Sequence, residues 1–404
     1  IIDHIQSEIK YKEKILKLSY DQKNLNKFIA GDSNFLFVTG EAGTGKSGFI
    51  KDFVERMKKE KDAAILVFAS SDFDVQEENQ VLQKYGNYEM NKLLALYRYA
   101  EKKICVIDAA EKYMLFRNPE ILIETIQKFI RDEWKIIISI RSIYKEGFID
   151  LVCENEKYEE YSVKKLEKEQ LKELSRRYGF IMPDDKKVED LICCLFYLKL
   201  YLSLKNLTED QKWNQTVFFE HIWKQVILDT LHRRDNLPVK REKFILKMIS
   251  SMLMQEKYVY QSEATDDPEV ICCLENSGII SPYESMANSW VINHDVYEEL
   301  IVKHVLSAEY FENLSVTNYF QKFGIRLRSR KLFRLWLQDE LEKEDEHLFH
   351  FLIEFMDDSK IEQVCKDEVL LVLISSDNET NFELLEMLLN KQEYALLEKA
   401  LHLL

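Results

Sequence analysis

The sequence predicts an α/β fold on a parallel sheet, followed by a helical lid, a winged helix and an all-α C-terminal region. Three observations predict it: a glycine loop set between an apolar run and a helical pattern, further apolar runs spaced by helices, and loss of strand signal after residue 162. Composition sets the outer limits. The 404 residues are enough for roughly two to four domains. An apolar share of 46% beside 31% charged residues describes a soluble globular chain. A net charge of −15 and a pI near 5.2 speak against a general binder of nucleic acid or anionic membrane. The longest apolar stretch, 191–202, is interrupted by Lys199 and falls short of the about 20 residues that cross a bilayer.

The elements follow in order. Residues 1–30 read as a charged linker helix. Phe35-Leu36-Phe37-Val38 is a short apolar strand, and it leads into Gly40-Glu41-Ala42-Gly43-Thr44-Gly45-Lys46-Ser47-Gly48, with a helix over 49–57. Four of the ten glycines fall in these nine residues. Strand, glycine loop and helix in the order G-x-x-x-x-G-K-S make a phosphate-binding P-loop, so an α/β P-loop NTPase is expected, with a nucleoside triphosphate as ligand. Glycines let backbone N–H groups approach phosphate oxygens, and the helix N-terminus adds partial positive charge. Lys46 would reach the β- and γ-phosphates, and the Ser47 hydroxyl would ligand Mg²⁺.

Further strands are expected over 64–69, 104–108, 135–140 and, weakly, 158–162, with helices between them on both faces of the sheet. The NTPase core is thus 31–163, and a helical lid follows at 164–220, broken near Gly179 and Pro183. Residues 221–306 read as three helices closed by a hairpin, a winged-helix pattern. Residues 307–404 read as the start of a helical sensor or repeat region, and the chain stops within a helical pattern, as if the protein continued. It opens at Ile1 without a visible signal peptide. Seven cysteines include no C-x-x-C pair; Cys105, Cys193, Cys194, Cys272 and Cys273 lie in apolar runs and read as small hydrophobes. A reducing, cytoplasmic location is expected and a zinc site is not.

Chemistry concentrates at strand ends. Asp108 ends the run 103–108, where a Walker-B acid would hold Mg²⁺, and Glu111 just beyond it would orient or activate water. Arg141 follows the run 135–140 and would pair with the γ-phosphate. The plainer readings are solvated acids after one strand and a surface arginine capping another. In Asn293-His294-Asp295, His294 sits where a hairpin strand gives way to a helix, and composition alone favours a structural histidine.

Together these segments resemble the STAND class of signalling NTPases, relatives of AAA+ ATPases that include NACHT and AP-ATPase proteins. The resemblance spans 30–306 and rests on Gly40–Ser47, on Asp108 and Glu111, on Ser139-x-Arg141 and on Asn293-His294-Asp295. It implies an AAA+/STAND-like core and an ATP/ADP switch, with His294 touching the ADP β-phosphate. The stretch 294–299 is most similar to prokaryotic antiviral STAND proteins. That likeness implies slow ATP hydrolysis, ligand-induced homo-oligomers such as tetramers, an N-terminal effector outside this chain, and a C-terminal helical sensor for a protein ligand such as a phage protein. Two departures stand out: Cys194 and Leu195 replace the usual Asn-Pro of the lid, and Asn293 replaces a Met.

Two other functions compete. A winged-helix transcriptional regulator is disfavoured because 265–277 carries Asp266, Asp267, Glu269 and Glu275 with no Lys or Arg. An AAA+ motor would use Arg131 or Arg141 as a finger and turn over fast. The basic run Lys322, Arg326, Arg328, Arg330, Lys331 and Arg334 reads either as an interface or as a solvated face balancing the acids of 339–346.

Overall fold

The computed structural model describes residues 9–375 except 12–13, 17–22, 61–62, 87, 117, 154–155, 205–212, 231–235, 256, 284–285, 313–315, 317–326 and 342–344, together with 381–383 and 385–387. The chain forms two compact units, Ile1–Val226 and Ile227–Leu404. Where one charged helix was expected over 1–30, the described residues include a hairpin: β1 (Ile9–Tyr11) runs antiparallel to β2 (Lys14–Leu16), and the first described helix is α1 (Lys23–Ala30). Ile9 and Leu16 are cross-strand partners and both are buried, so apolar pairing outweighs the helical propensity of the charged residues around them.

The alternation of β3 (Phe35–Thr39), α2 (Lys46–Met57), β4 (Ala63–Ala69), α3 (Met90–Leu96), β5 (Lys102–Asp108), α4 (Glu120–Arg131), β6 (Lys135–Ser139), α5 (Lys145–Val152) and β7 (Tyr158–Ser162) builds a five-stranded parallel sheet. Its order is β4-β5-β6-β3-β7. The inner strands β3 and β6 and the middle of β5 are apolar because both faces are covered, whereas the edge strand β7 carries Glu159 and Glu160. Phe35, Phe37, Cys105, Ile107, Ile136 and Ile138 pack with Phe129, Trp134 and Phe148 in one layer. Leu36, Val38, Ile104, Val106 and Ile137 pack with Phe28, Phe49, Ile50 and Phe53 in the other. Phe53 is fully buried, so its truncation to alanine would cost about 3–5 kcal/mol.

The lid follows as α6 (Lys168–Tyr178), α7 (Lys186–Ile192), α8 (Leu195–Ser203) and α9 (Gln215–Ile222). Gly179 ends α6 at φ 74°, and Asp185 caps α7 by accepting from the Val188 N–H at 2.9 Å. The unit ends at Val226, past the boundary expected at 220.

The second unit contains α10 (Leu237–Met254), β8 (Tyr260–Gln261), α11 (Pro268–Asn276), β9 (Ile280–Pro282), β10 (Ser289–Ile292) and α12 (Asp295–Glu312). The expected hairpin is there, and β8 adds a third strand in the order β8-β10-β9. At two residues β8 is too short to show a period in sequence. Arg241 is buried and donates to the Ile227 carbonyl at 2.9 Å and the Ser277 hydroxyl at 3.2 Å, tying α10 to the segments before it and after α11. Cys272 is exposed on α11, contrary to its reading as a buried hydrophobe.

Among the described residues the unit continues with α13 (Leu327–Leu341), α14 (Glu346–Asp357) and α15 (Gln363–Ile374). Here two members of the basic run find a counter-ion. Arg330 and Arg334 both bind the buried carboxylate of Glu368, while their own side chains stay 30% and 42% exposed. Lys322 and Arg326 lie outside the described residues. All seven cysteines are free thiols. Among the described residues no helix is long and apolar enough to cross a membrane.

Candidate phosphate-binding site

β3 is buried along its whole length and delivers Gly40 to the carboxyl edge of the sheet. Gly40 adopts φ 148°, and a Cβ there would lie 2.6 Å from the Val163 carbonyl oxygen. At the loop apex Gly43 adopts φ 77°, and a Cβ would fall 2.8 Å from Phe196 Cβ and 2.9 Å from Cys194 Sγ. The Thr44 hydroxyl donates to the Glu41 carbonyl at 3.0 Å and closes the turn. Gly45 precedes α2, which starts at Lys46, and Ser47 and the buried Gly48 fill its first turn. The unpaired N–H groups of such a turn, with the helix dipole behind them, suit an anion. Lys46 Nζ donates to the carbonyls of Gly40 at 3.0 Å and Glu41 at 2.9 Å, which holds the ammonium against its own loop.

The strand order decides what meets this loop. β6 lies between β3 and β5, so Asp108 comes from the strand after next. Even so, Ser47 Oγ donates to Asp108 Oδ1 at 3.1 Å. Ser139 Oγ, from the intervening strand, donates to the same oxygen. A hydroxyl and a carboxylate this close form a hard-oxygen pair that suits Mg²⁺ with water completing its shell. Among the described residues no group of three or more His, Cys, Asp or Glu side chains is built to hold a metal.

Glu111 and Arg141 are brought together, although sequence reasoning assigned them separate roles. Arg141 Nε donates to Glu111 Oε1 at 3.2 Å. Glu111 Oε2 is buried and has no hydrogen-bond partner among the described residues. A half-satisfied buried carboxylate is costly to keep, and such groups mark sites reserved for something else.

Sequence reasoning missed three contributors. Ser70, directly after β4, donates to the Ala109 carbonyl at 2.6 Å. Its signal was a polar residue following an apolar run at the edge where Asp108 and Arg141 lie. Glu160 on β7 accepts from Thr39 Oγ1 and from Lys145 Nζ, each at 2.8 Å. The hydrogen bond from Lys145, helped by that from Thr39, holds the Glu160 carboxyl below its ordinary value against the opposing effect of burial. The third contributor is the lid. The Phe196 N–H donates to the Gly43 carbonyl at 3.1 Å, Cys194 Sγ lies 3.6 Å from the Ala42 carbonyl, and Lys165 pairs with Glu41 at 2.7 Å. The first turn of α8 therefore rests on the loop apex, with Cys194 and Leu195 at its start.

His294 belongs to the second unit. Its Nδ1 accepts from the Val296 N–H at 3.1 Å, so it caps α12, and in the neutral ring Nε2 then carries the proton. Asn293 fixes the approach by donating from its side chain to the Gly278 carbonyl at 3.1 Å.

No protein-family model and no curated protein matches the sequence. Solved structures do overlap with it. The Orc1 protein of Aeropyrum pernix, in a complex with DNA, is 14% identical with a TM-score of 0.35, covering 71% of this chain and 90% of that one. AMPPCP-bound DnaA from Aquifex aeolicus is 14% identical with a TM-score of 0.35, covering 63% and 86%. The RuvB branch migration motor of Thermotoga maritima is 12% identical with a TM-score of 0.30, covering 69% and 90%. The strand order, the glycine loop before α2 and the Ser47–Asp108 pair are properties of this chain itself, and they give its first unit the fold of a P-loop NTPase.

Proposed function

We propose that the protein is an ATP/ADP-operated switch that hydrolyses ATP slowly and assembles with copies of itself when a protein ligand engages its helical C-terminal region. The observation that carries the nucleotide reading is the convergence of Lys46, Ser47, Asp108, Glu111 and Arg141 at one sheet edge. Ser47 and Asp108 would hold Mg²⁺, which neutralises phosphate charge when bound. Lys46 would exchange two neutral carbonyl acceptors for phosphate oxygens, gaining charge-assisted hydrogen bonds about twice as strong. Arg141 would leave Glu111 for the γ-phosphate. The released carboxylate would then orient the attacking water and take its proton.

The signalling part rests on the resemblance to STAND proteins: His294 as a sensor of the ADP β-phosphate, oligomers such as tetramers, an effector outside this chain, a phage protein as ligand and a cytoplasmic, antiviral setting. A population shift of this kind requires that the ligand bind the open form better than the closed one. One observation weighs against the transcriptional alternative. Lys240 and Lys247, the cations beside α11, are engaged by Asp267 and by Glu263 with Asp266, leaving an acidic face unsuited to phosphate contact.

The test is calorimetry of the full chain with ADP and ATP, with its mass measured before and after ATP. Binding of either nucleotide by the monomer, loss of at least about a hundredfold in affinity in Lys46→Ala, and a rise in mass with ATP plus ligand are expected. No uptake of either nucleotide, or uptake unchanged in Lys46→Ala, would end the proposal. Turnover of many ATP per second without an activator would transfer it to a motor.

A further inference from the structure

We infer that Ser70 is a positioning residue for this hydrolysis, gripping the Ala109 peptide together with Ser139 so that Glu111 is held beside Arg141; the inference rests on the function proposed above. The chain has little room between its two acids. Asp108 must stay at the end of β5 to meet Ser47, yet Glu111 pairs with Arg141 only three residues later. The reversal is made at Ala109, which adopts φ 58° and ψ 50° without being a glycine. Left-handed backbone is disfavoured for alanine by about 1–2 kcal/mol, and it persists only where its surroundings over-determine it.

Those surroundings are two buried hydroxyls, one from each strand flanking β5. Ser70, after β4, donates to the Ala109 carbonyl at 2.6 Å. Ser139, ending β6, accepts from the Ala109 N–H at 2.7 Å. These atoms belong to the peptide groups before and after Ala109, so gripping both fixes its φ and ψ together. Each serine is 1% exposed, which keeps water from replacing either bond. Their roles then divide. Ser139 also donates to Asp108, so its removal would disturb the Ser47–Asp108 pair. Ser70 has its hydrogen bond to Ala109 and none to Ser47, Asp108, Glu111 or Arg141 among those described, which lets the effect of the bend be measured separately from that pair.

The experiment uses the full chain and compares Ser70→Ala, Ser70→Thr and Ser70→Ala with Ala109→Gly. Phosphate release at varied ATP–Mg²⁺ gives kcat and KM, and a fluorescent ADP analogue gives affinity. Losing a buried hydrogen bond of about 1–1.5 kcal/mol predicts that Ser70→Ala lowers kcat about tenfold, with KM and ADP affinity within about twofold of wild type. Ser70→Thr keeps the hydroxyl, and glycine at 109 takes the left-handed conformation without steric cost, so both restore kcat to within about threefold. Wild-type kcat in Ser70→Ala, loss of ADP affinity in proportion to kcat, or a double variant as slow as the single one would overturn the inference. Should Ser70→Ala not fold, Ser70→Cys carries the same comparison. A wild-type chain that neither binds nor hydrolyses ATP refutes the proposed function itself, whereas the other adverse results, on an active wild type, refute only the role of Ser70.

Discussion

Two glutamates, the part-buried Glu111 in the first unit and the buried Glu368 in the second, have opposite surroundings. Glu368 accepts from Arg330 Nε at 2.9 Å and Nη2 at 2.7 Å on one oxygen, and from Arg334 Nε at 2.7 Å on the other. Both oxygens are served by guanidinium groups, and the side chain is 1% exposed. Glu111, at 10% exposure, has one oxygen served by Arg141 and the other by nothing among the described residues. A saturated buried carboxylate fastens helices together. A half-saturated one keeps capacity for a proton or a water, which is what a general base requires.

A substitution suited to each position tests this contrast. Glu368→Ala leaves two guanidinium groups without their carboxylate, so denaturation should report a loss of about 3–5 kcal/mol. A loss under about 1 kcal/mol would make the clamp incidental. Glu111→Gln should act on rate instead. ATP hydrolysis should fall about a hundredfold or more while nucleotide affinity and melting temperature hold, because the amide keeps the shape without the basicity. A large drop in melting temperature there would show that Glu111 is structural after all. His294→Ala sharpens the comparison from a third position. It removes the cap of α12, costing about 1 kcal/mol, and under the proposed sensor role it also speeds ADP release. Unchanged release would leave His294 as a cap only.

The smallest effect concerns Glu160. Its carboxyl is held below the ordinary value chiefly by the hydrogen bond from Lys145. Such a group adds stability above its unfolded value of about 4.3, and that contribution disappears as pH falls through the lower folded value. The melting-temperature difference between wild type and Glu160→Gln should therefore be present at neutral pH and close below about pH 4. A difference that persists in acid would remove the ion pair as its cause. The pair is partly exposed, so the difference should amount to a few degrees at most.

What the sequence disclosed follows from distance along the chain. The P-loop was legible because its chemistry sits in consecutive residues, and Asp108 because a strand end is visible in an apolar run. The approach of Ser47 and Asp108 was legible too, as a shared Mg²⁺ role, but the Arg141–Glu111 pair was not, since it depends on β6 lying beside β5. Ser70 was hidden for the same reason: only the order β4-β5-β6 puts it next to Ala109. Short strands were lost in both units, β1 and β2 among charged residues and β8 through its length. The pairing of Arg330 and Arg334 with Glu368 was not legible, because charge alone does not reveal a buried counter-ion on a helix more than thirty residues away.

The seat of α8 on Gly43 has a consequence for how freely the phosphate loop can be uncovered. Its polar contacts include the Phe196 amide bond to the Gly43 carbonyl, the Cys194 Sγ contact with the Ala42 carbonyl and the exposed Lys165–Glu41 pair. In water the first contributes about 0.5–1.5 kcal/mol and the last about 0–1 kcal/mol. A latch that shallow springs open under modest leverage, and a tenfold preference of any ligand for the unlatched arrangement, about 1.4 kcal/mol, is of the same size as the hold.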